Sequence, residues 1–432
     1  MYAIKHGSLV YPREPLLRIE GPLCVGQLLE TVLLNLINYP SLVATNAARM
    51  KLAAGSNKQL LEFGLRRAQG PDGAYSASKY SYLGGFNGTS NVLAGKLTGI
   101  NVKGTHAHAF VMSFKSLDDL SSRTIIAANG ETVDFVELVL KKRNELGYFS
   151  TNNGELAAFI SYSQSFPKGF LALIDTYDTL NSGVKNYIAV ALVLHSVGYA
   201  PIGVRLDSGD LSYLSKACRD LFKKIDQKEG VDVLIASNIV ASDDINEDIL
   251  LALKDQGSEI DTFGIGTNLV TCQKQPALGC VYKLVSLNND PRIKLSQNPS
   301  KMVIPYKKEI YRLYGSSGYP LLDVMMLGDE PEPLPGVTVR CLHPFDDKKR
   351  VNVTPSKVEK LLNLVWDGTN GKVQTLYSLD ETREYTVSQL SNMREDHVRS
   401  LNPTPYKVSV SATLYAKMHE LWENNAPPVE LS

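Results

Sequence analysis

Apolar runs alternate with amphipathic stretches between about residues 60 and 285, and this alternation sets the expected architecture. Four apolar runs end in polar or small residues: FLALIDTYD, APIGVRLDSGD, VDVLIAS and IDTFGIGT. Short loops and stretches with helical spacing separate them. Repeated strand-helix units of this kind predict a parallel sheet, either open or closed into a barrel.

The flanking segments lack this rhythm and carry short strands, Gly/Pro turns and basic residues. We therefore expect residues 1–55 and 285–372 to form a second, smaller, discontinuous α/β domain around a larger domain of residues 56–284. Residues 373–432 end in SATLYAKMHELWENNAPPVELS and predict a C-terminal segment with a closing helix and a loose tail.

The balance of charges argues against nucleic acid and membrane surfaces as partners. The chain has 432 residues, of which 44% are hydrophobic and 21% charged, so it can bury a large core. Its 45 basic residues equal its 45 acidic ones. No long-range field attracts nucleic acid or a membrane surface, and an anionic ligand must be held by local groups.

The cysteines and the first residues indicate a cytosolic protein. The start, MYAIKHGSLVYP, lacks the apolar segment of a secretion signal. Five cysteines without CxxC spacing predict reduced thiols, with neither disulfides nor a zinc site. They are Cys24, Cys218, Cys272, Cys280 and Cys341.

Three of the apolar runs finish in residues suited to ligands: Asp175, Asp207 and Thr267. The carboxyl ends of barrel strands carry the active site, so these residues predict an active face. Arg205 lies two residues before Asp207, on the same strand face, and the pair suits an anionic ligand that also carries hydroxyls or magnesium. The alternative is that Asp207 or Ser208 only caps the following helix.

The stretch DTFGIGTNLV has small residues at a strand end. Backbone amides at Gly264, Gly266 and Thr267 could hold a phosphate at the start of a helix, or form an ordinary glycine-rich turn.

Two earlier stretches also have candidates for ligand contact. In EFGLRRAQGPDG, Phe63 offers a ring, and only one of Arg66 and Arg67 would reach a site if the segment is extended. GGFNGTSN, at 84–91, is a small polar loop that lets backbone approach a ligand, and it is equally consistent with a solvent turn.

The stretch GTHAHAF contains two histidines two positions apart. On a strand, His106 and His108 would share one face. Three hypotheses follow: a metal pair, one working histidine beside a bystander, or a packed pair without chemistry.

Long motifs resemble the nicotinate phosphoribosyltransferase family over nearly the whole chain. They include SLVATNAARMKLAAG, LLEFGLRRAQGPDG, YSYLGGFNGTSNVLAG, GTHAHAF, VRLDSGDL, GIGTNLVTCQKQPALGCVYKLV and SGYPLLDVMML. The resemblance implies an irregular α/β barrel with a second domain. It also implies that nicotinate and 5-phosphoribosyl 1-pyrophosphate give nicotinate mononucleotide and pyrophosphate, with Mg²⁺ and with ATP hydrolysed through a phosphohistidine.

The same resemblance suggests roles for individual residues. His108 matches the phosphorylated histidine, with His106 a bystander. Thr105 and Arg205 match nicotinate-contacting positions, and Asp175 matches an acidic site residue.

Further positions follow in the same way. Thr267 matches a phosphoribosyl-binding position, and Asp207 would orient ribose hydroxyls or magnesium. Ser90 stands where relatives that use nicotinamide have an aspartate, which favours the acid over the amide. Phe63 would cover one face of the nicotinate ring, and Arg66 is the expected contact from its segment.

The resemblance further implies a homodimer with shared active sites. It also implies that this chain lacks the family's opening segment, and with it part of the small domain. The stretch ASNIVASDDINE leaves open whether Ser237 and Asn238 or Ser242 and Asp243 occupy a strand end.

Two alternatives remain at this point. One is a truncated subunit that is inactive and only pairs with a full-length enzyme. The other is a barrel metallohydrolase that uses HxH, although the remaining histidines lie in the flanks or in an apolar helical run: His6, His195, His343, His397 and His419.

Overall fold

The computed structural model describes residues 1–296, 302–373 and 376–426. The chain forms two compact units, Leu42–Pro276 and Met1–Ser41 together with the chain from Ala277 onward. The mixed α/β class predicted from the sequence is confirmed.

A six-stranded parallel sheet is the centre of the unit Leu42–Pro276, which we call the parallel-sheet unit. The strands follow one another in the order β4-β3-β10-β9-β8-β7. They are β3 (Gln59–Glu62), β4 (Gly88–Thr89), β7 (Leu171–Leu173), β8 (Gly203–Leu206), β9 (Asn238–Ala241) and β10 (Thr262–Ile265). Most of their residues are buried, as parallel strands covered by helices require.

Helices connect these strands and cover the sheet. They are α3 (Gly70–Leu83), α4 (Val92–Thr98), α5 (His108–Met112), α6 (Phe135–Glu145), α7 (Asn153–Ser165), α8 (Val184–Ser196), α9 (Leu211–Glu229), α10 (Glu247–Asp255) and α11 (Thr267–Thr271). A π-helical turn covers Thr179–Gly183, 3-10 turns cover Leu65–Arg67 and Leu117–Asp119, and a small hairpin pairs β5 (Thr124–Ile126) with β6 (Thr132–Asp134).

The segment 101–106 joins one edge of the sheet to the other. At the β4 edge, Thr89 donates its backbone N–H to Asn101 O at 3.0 Å and accepts from Lys103 N at 2.9 Å. This is ordinary backbone pairing between neighbouring strands.

At the other edge of the sheet, side chains of the segment 101–106 bond to the backbone of β7. Thr105 Oγ1 donates to Leu171 O at 2.7 Å, and Leu173 N donates to Nε2 of His106 at 3.2 Å. The two side chains replace the backbone ladder that another strand would form. We call the stretch 101–106 the seam.

The second unit is built on two further sheets. Its larger sheet has the order β16-β15-β21-β14-β13-β17, with β14 and β21 parallel and the other pairs antiparallel. The strands are β13 (Lys308–Tyr314), β14 (Pro320–Leu327), β15 (Val339–His343), β16 (Asp346–Val353), β17 (Lys357–Lys360) and β21 (Val408–Ser411). Because β21 lies inside this sheet, the stretch expected as a separate segment after residue 372 is built into this unit.

The smaller sheet of this unit has the order β18-β1-β2. Its strands are β1 (Tyr2–Ile4), β2 (Leu17–Arg18) and β18 (Leu362–Leu364), and short pairs join β11 (Ser286–Leu287) to β12 (Asp290–Pro291) and β19 (Trp366–Asp367) to β20 (Gly371–Lys372). The helices are α12 (Leu379–Ser391), α13 (Glu395–Val398) and the closing helix α14 (Ala412–Asn425). The tail expected after it lies, from residue 427, outside the described residues.

Helix α1 (Leu23–Leu28) precedes the parallel-sheet unit, and α2 (Glu30–Ala54) begins before Leu42 and continues into that unit. Together, Leu23–Ala54 is one stretch long and apolar enough to cross a membrane by length and composition, and 11% of its most apolar window is buried. Because one such helix also occurs in soluble proteins, this is weak evidence for a membrane span.

Candidate functional site

The carboxyl ends of three neighbouring strands bring the predicted acidic and basic residues together. Asp175 follows β7, Asp207 follows β8 directly, and Ser242 follows β9 directly. Arg205 is the third residue of β8. The active face expected from the strand order therefore brings Asp175, Asp207 and Arg205 into one cluster.

The start of helix α9 leaves Asp207 and Ser208 available for this cluster. Asp210 caps the helix, because its side chain accepts a hydrogen bond from Tyr213 N at 2.9 Å. The alternative in which Asp207 or Ser208 serves only as the cap is therefore wrong.

His108 lies between a hydroxyl group and two carboxylates. Its Nδ1 is 3.0 Å from Oγ1 of Thr176, while its Nε2 is 3.8 Å from Oδ1 of Asp175 and 3.7 Å from Oδ2 of Asp207. The side chain is 37% exposed, so a ligand can reach it. Its two ring nitrogens thus have different surroundings, a hydroxyl group beside Nδ1 and two carboxylates beside Nε2.

Asp175 is the buried member of the cluster, with its side chain only 1% exposed. Its Oδ2 accepts from Asp207 N at 2.9 Å and from Ser208 Oγ at 2.5 Å. Its Oδ1, the atom nearest His108, has no hydrogen-bond partner. A buried acceptor without a partner is unfavourable, so this oxygen is ready to accept a proton donor from the imidazole or a ligand.

Arg205 is held in place from two sides. Its Nε donates to Ser242 Oγ at 2.8 Å, and its Nη2 donates to Asp207 Oδ1 at 3.0 Å. Ser242 also donates to that same carboxylate oxygen. The guanidinium carbon lies 5.6 Å from the centre of the Phe63 ring, within the range of a cation-π contact.

Phe63 fits against strand β10 because Gly264 has no side chain. A Cβ at Gly264 would overlap the ring of Phe63. Gly266 precedes Thr267, the first residue of α11, at the end of the same strand. These residues lie at the carboxyl end of β10 as expected, and their role in phosphate binding stays a prediction.

Glu62, which was not predicted as a site residue, lies next to Phe63 in the chain and hydrogen-bonds to Ser90. Its carboxylate is fully buried and accepts from Ser78 Oγ at 2.8 Å, from Thr89 Oγ1 at 2.5 Å and from the backbone N–H of Gly64. Its carbonyl oxygen accepts from Ser90 N at 2.9 Å and Ser90 Oγ at 3.2 Å. The signal for Glu62 in the sequence is an acidic residue at the end of a short apolar run.

Other predicted contacts have different surroundings from those expected. The segment that contains Arg66 is a 3-10 turn and not the extended chain considered above, and both Arg66 and Arg67 are exposed. The hydroxyl of Thr105 donates to β7 at the seam. Contact of Arg66, Thr105 and Ser90 with nicotinate stays a prediction.

The two histidines of GTHAHAF do not share a strand face, so that expectation is wrong. No strand forms there, because His108 begins helix α5. His106 instead packs at 4.9 Å from the Tyr162 ring and 5.3 Å from the Phe110 ring.

His106 accepts a hydrogen bond at Nε2, which requires a neutral imidazole ring. Burial lowers its pKa to about 4, and its Nε2 accepts from Leu173 N. Among residues 1–296, 302–373 and 376–426, no group of three or more His, Cys, Asp or Glu side chains could hold a metal ion. Nε2 of His106 is already occupied by the bond from Leu173 N, which argues against the metal pair.

The register of β9 answers the question left by ASNIVASDDINE. The strand is Asn238–Ala241, so Ser242 lies at its carboxyl end, whereas Ser237 lies before it and bonds to Tyr187 at 2.8 Å. Burial, with Asp207 and other nearby carboxylates, raises the pKa of Asp243. This edge of the site is therefore strongly acidic.

Comparison with known proteins gives a consistent result. The chain matches the model of the nicotinate phosphoribosyltransferase (NAPRTase) family over residues 58–315 and that of the nicotinate phosphoribosyltransferase C-terminal domain over residues 307–418. It is 54% identical to nicotinate phosphoribosyltransferase of Dictyostelium discoideum, over 100% of this chain and 74% of that protein. It is 44% identical to the Homo sapiens enzyme of that name, over 98% of this chain and 80% of that protein.

A solved structure agrees with these relatives. The crystal structure of human nicotinic acid phosphoribosyltransferase superposes with a TM-score of 0.86 at 41% sequence identity. The match covers 97% of this chain and 82% of that one.

Proposed function

The chain belongs to the nicotinate phosphoribosyltransferase family, and from this premise we propose that it joins nicotinate to 5-phosphoribosyl 1-pyrophosphate in NAD synthesis. The family membership predicted from the sequence is confirmed. The observation that supports the proposal most is the cluster of Arg205 and Asp207, at the carboxyl end of β8, with His108, at the start of α5. It combines a fixed cation, an anion and a nucleophile in one place.

Arg205 is the proposed partner of the nicotinate carboxylate. A planar guanidinium already fixed by Ser242 and Asp207 loses little conformational freedom when it binds a carboxylate. The Phe63 ring beside it offers a face for the pyridine ring. Ser90, Thr105 and Arg66 are further proposed contacts of nicotinate.

His108 is the proposed phosphoryl acceptor. If its Nε2–H faces Asp175 and Asp207, the lone pair on Nδ1 is the nucleophile, beside the hydroxyl of Thr176. The P–O bond to the γ-phosphate of ATP breaks, ADP leaves, and a P–N bond forms at Nδ1. The proton on Nε2 remains in place, and the carboxylates stabilise the positive charge of the ring.

The glycosidic step needs positioning more than proton transfer. The pyridine nitrogen attacks the anomeric carbon while the bond to pyrophosphate breaks, and the bonding pair leaves with pyrophosphate. Asp207 would orient the ribose hydroxyls. Gly264, Gly266 and Thr267 are proposed to hold the 5-phosphate at the end of β10.

Mg²⁺ fits the acidic side of this site. Carboxylate oxygens are suitable ligands. Oδ1 of Asp175, which has no hydrogen-bond partner, and Oδ2 of Asp207 lie 3.8 and 3.7 Å from the same atom, Nε2 of His108. Mg²⁺ commonly binds through one or two carboxylates together with substrate phosphates. When bound, it would neutralise charge on the leaving pyrophosphate.

A homodimer is the proposed assembly. Apolar side chains of α1 and α2 are exposed in the single chain, with Leu28 at 81%, and they include a stripe at intervals of four residues. The stripe is Leu28, Val32 and Leu36. An apolar stripe of this kind favours burial against another copy.

Light scattering tests the assembly. We expect the mass of two chains, and a monomer from the double variant Leu28→Glu with Leu36→Glu. A monomeric parent would contradict the dimer, and co-sedimentation with lipid vesicles would indicate a membrane instead.

We also propose a cytosolic location, consistent with five cysteines that form no disulfide. A fluorescent fusion tests it.

The reaction is tested directly with the purified 432-residue chain. Nicotinate mononucleotide is measured with nicotinate, phosphoribosyl pyrophosphate and Mg²⁺, with and without ATP, in the parent and in His108→Ala. We expect ATP to raise product formation in the parent only. A folded chain without product would contradict the proposal and favour an inactive subunit.

A further inference from the structure

Glu155, in helix α7, is a buried carboxyl group that the proposed chemistry does not use. It is 0% exposed. Its Oε2 accepts from Ser182 Oγ at 2.5 Å and from Asn186 Nδ2 at 3.0 Å, while its Oε1 has no hydrogen-bond partner. Burial raises the pKa of Glu155 to about 7, and Asp178 and Asp175 act in the same direction. Such a group is costly to bury, so a hydrophobic residue would be expected unless it has a role.

The side chain of Glu155 belongs to a hydrogen-bond network that links α7, the π-helical turn and α8. Ser182, in the π-helical turn, accepts from Asn152 N at 2.9 Å, and Asn186, in α8, donates to Asn152 O at 3.0 Å. The side chain of Asn152 in turn caps α7 by accepting from Glu155 N at 2.9 Å. Glu155 is therefore the point where the start of α7, the π-helical turn and α8 meet.

The π-helical turn Thr179–Gly183 lies directly against the end of β7. A Cβ on Gly183 would overlap the carbonyl oxygen of Ile174, the residue before Asp175. Single π-helical turns are rare and occur often at functional sites. Because backbone contacts backbone here, a displacement of the turn must displace the strand end as well.

We propose that Glu155 is a positioning residue, which acts through Ser182 and the π-helical turn to fix the backbone of Asp175 and Thr176 around His108. Glu155 cannot touch a substrate, because it is fully buried. Both residues that it would position contact the imidazole, Asp175 on the Nε2 side and Thr176 on the Nδ1 side. The inference rests on the proposed function in that His108 is the working group.

Three variants separate positioning from general stability. Glu155→Ala removes the acceptor, and Glu155→Gln retains an oxygen for Ser182. Asp226→Ala is the matched control: Asp226 is a buried carboxylate in α9 that accepts from Leu234 N and Ile235 N at 3.2 and 2.7 Å. We expect Glu155→Ala to lower kcat about tenfold to a hundredfold with little change in KM for nicotinate. Glu155→Gln should restore most of kcat, and Asp226→Ala should lower thermal stability only.

A second readout does not depend on turnover. In protein with ¹⁵N-labelled histidine, we expect the imidazole signals of His108, assigned through their loss in His108→Gln, to shift in Glu155→Ala and not in Asp226→Ala. Ser182→Ala replaces Glu155→Ala if the latter does not fold, and the same shift is expected.

The outcomes are distinct. Unchanged His108 signals, or a kcat that falls only with the folded fraction, would overturn the positioning role. A parent chain without nicotinate mononucleotide formation would overturn the proposed function, while the imidazole shift would still test the link from Glu155 to His108.

Discussion

Oδ1 of Asp175 faces Nε2 of His108 across 3.8 Å and has no hydrogen-bond partner, while the other oxygen of the same carboxylate accepts two hydrogen bonds. One oxygen thus anchors Asp175 to the start of the loop after β8, and the other remains available to the imidazole. This division of tasks resembles the way in which a buried carboxylate orients a catalytic histidine in hydrolases.

Replacing Asp175 by Asn should therefore impair the function of His108 without unfolding the parallel-sheet unit. The amide keeps an oxygen for Asp207 N and Ser208, and it loses the charge that stabilises the imidazolium. We expect kcat to fall about 10²-fold or more, with a small change in melting temperature. Steady-state kinetics beside Asp220→Asn, an exposed carboxylate of α9, checks this. Parent-like kcat in Asp175→Asn would contradict the role.

Replacing Arg205 by Lys should weaken nicotinate binding. A lysine retains the positive charge, and it cannot contact Ser242, Asp207 and a carboxylate together in one plane. We expect KM for nicotinate to rise about tenfold to a hundredfold, with KM for phosphoribosyl pyrophosphate little changed. Arg123→Lys, at an exposed ion pair with Asp134, is the control. Equal effects on both substrates would count against a nicotinate-specific contact.

Replacing Gly264 by Ala should move the Phe63 ring. The added methyl group occupies the position of the ring edge, so the ring must leave its present place beside Arg205. We expect KM for nicotinate to increase about threefold to tenfold, since a stacking face is worth about 1 kcal/mol. Gly169→Ala, where the neighbours lie at 3.7 and 3.8 Å, should have little effect. Titration of nicotinate by calorimetry would detect the difference, and parent-like affinity would show that the ring does not cover nicotinate.

His106 should make the parallel-sheet unit less stable in mild acid. Its folded-state pKa of about 4 lies below the ordinary value of 6.5, so the unfolded chain takes up a proton first as the pH falls. The stability from the neutral ring is complete above pH 6.5 and is lost progressively towards pH 4. The loss is roughly 3 kcal/mol.

His106→Phe provides the comparison, because it retains a ring for the packing and does not titrate. At pH 7 it should be less stable than the parent by about 1 kcal/mol, through the hydrogen bond lost from Leu173 N. Urea unfolding from pH 7 to 4.5 should show a flatter pH dependence in the variant. Parallel curves for the two proteins would rule out His106 as the source.

The sequence predicted the parts of the site that follow from strand order. Asp175, Arg205 and Asp207 belong to apolar runs whose ends are visible in the sequence, so their meeting at one edge could be expected. Ser242 could not be assigned, because two candidate strand ends differ by a few residues and only the register of β9 decides between them.

Other features depended on long-range contacts that no local pattern reports. The partners of Glu155 are 27 and 31 residues away, and its segment reads as an ordinary helix. The surroundings of GTHAHAF have a similar origin, because the side chains of Thr105 and His106 bond to β7, 66 and 67 residues away, and helix α5 begins at His108.

The seam is the part of the parallel-sheet unit that should open first in acid. A backbone ladder breaks cooperatively, whereas the β7 side of the seam depends on a threonine hydroxyl and a histidine ring, and protonation of that ring removes the acceptor for Leu173 N. We expect the amide of Leu173 to exchange with solvent faster than those of the inner strands as the pH falls. Since the seam leads directly into His108 and β7 leads into Asp175, a local opening there separates the nucleophile from its carboxylate. Catalysis should therefore cease in acid while the sheet itself is still intact.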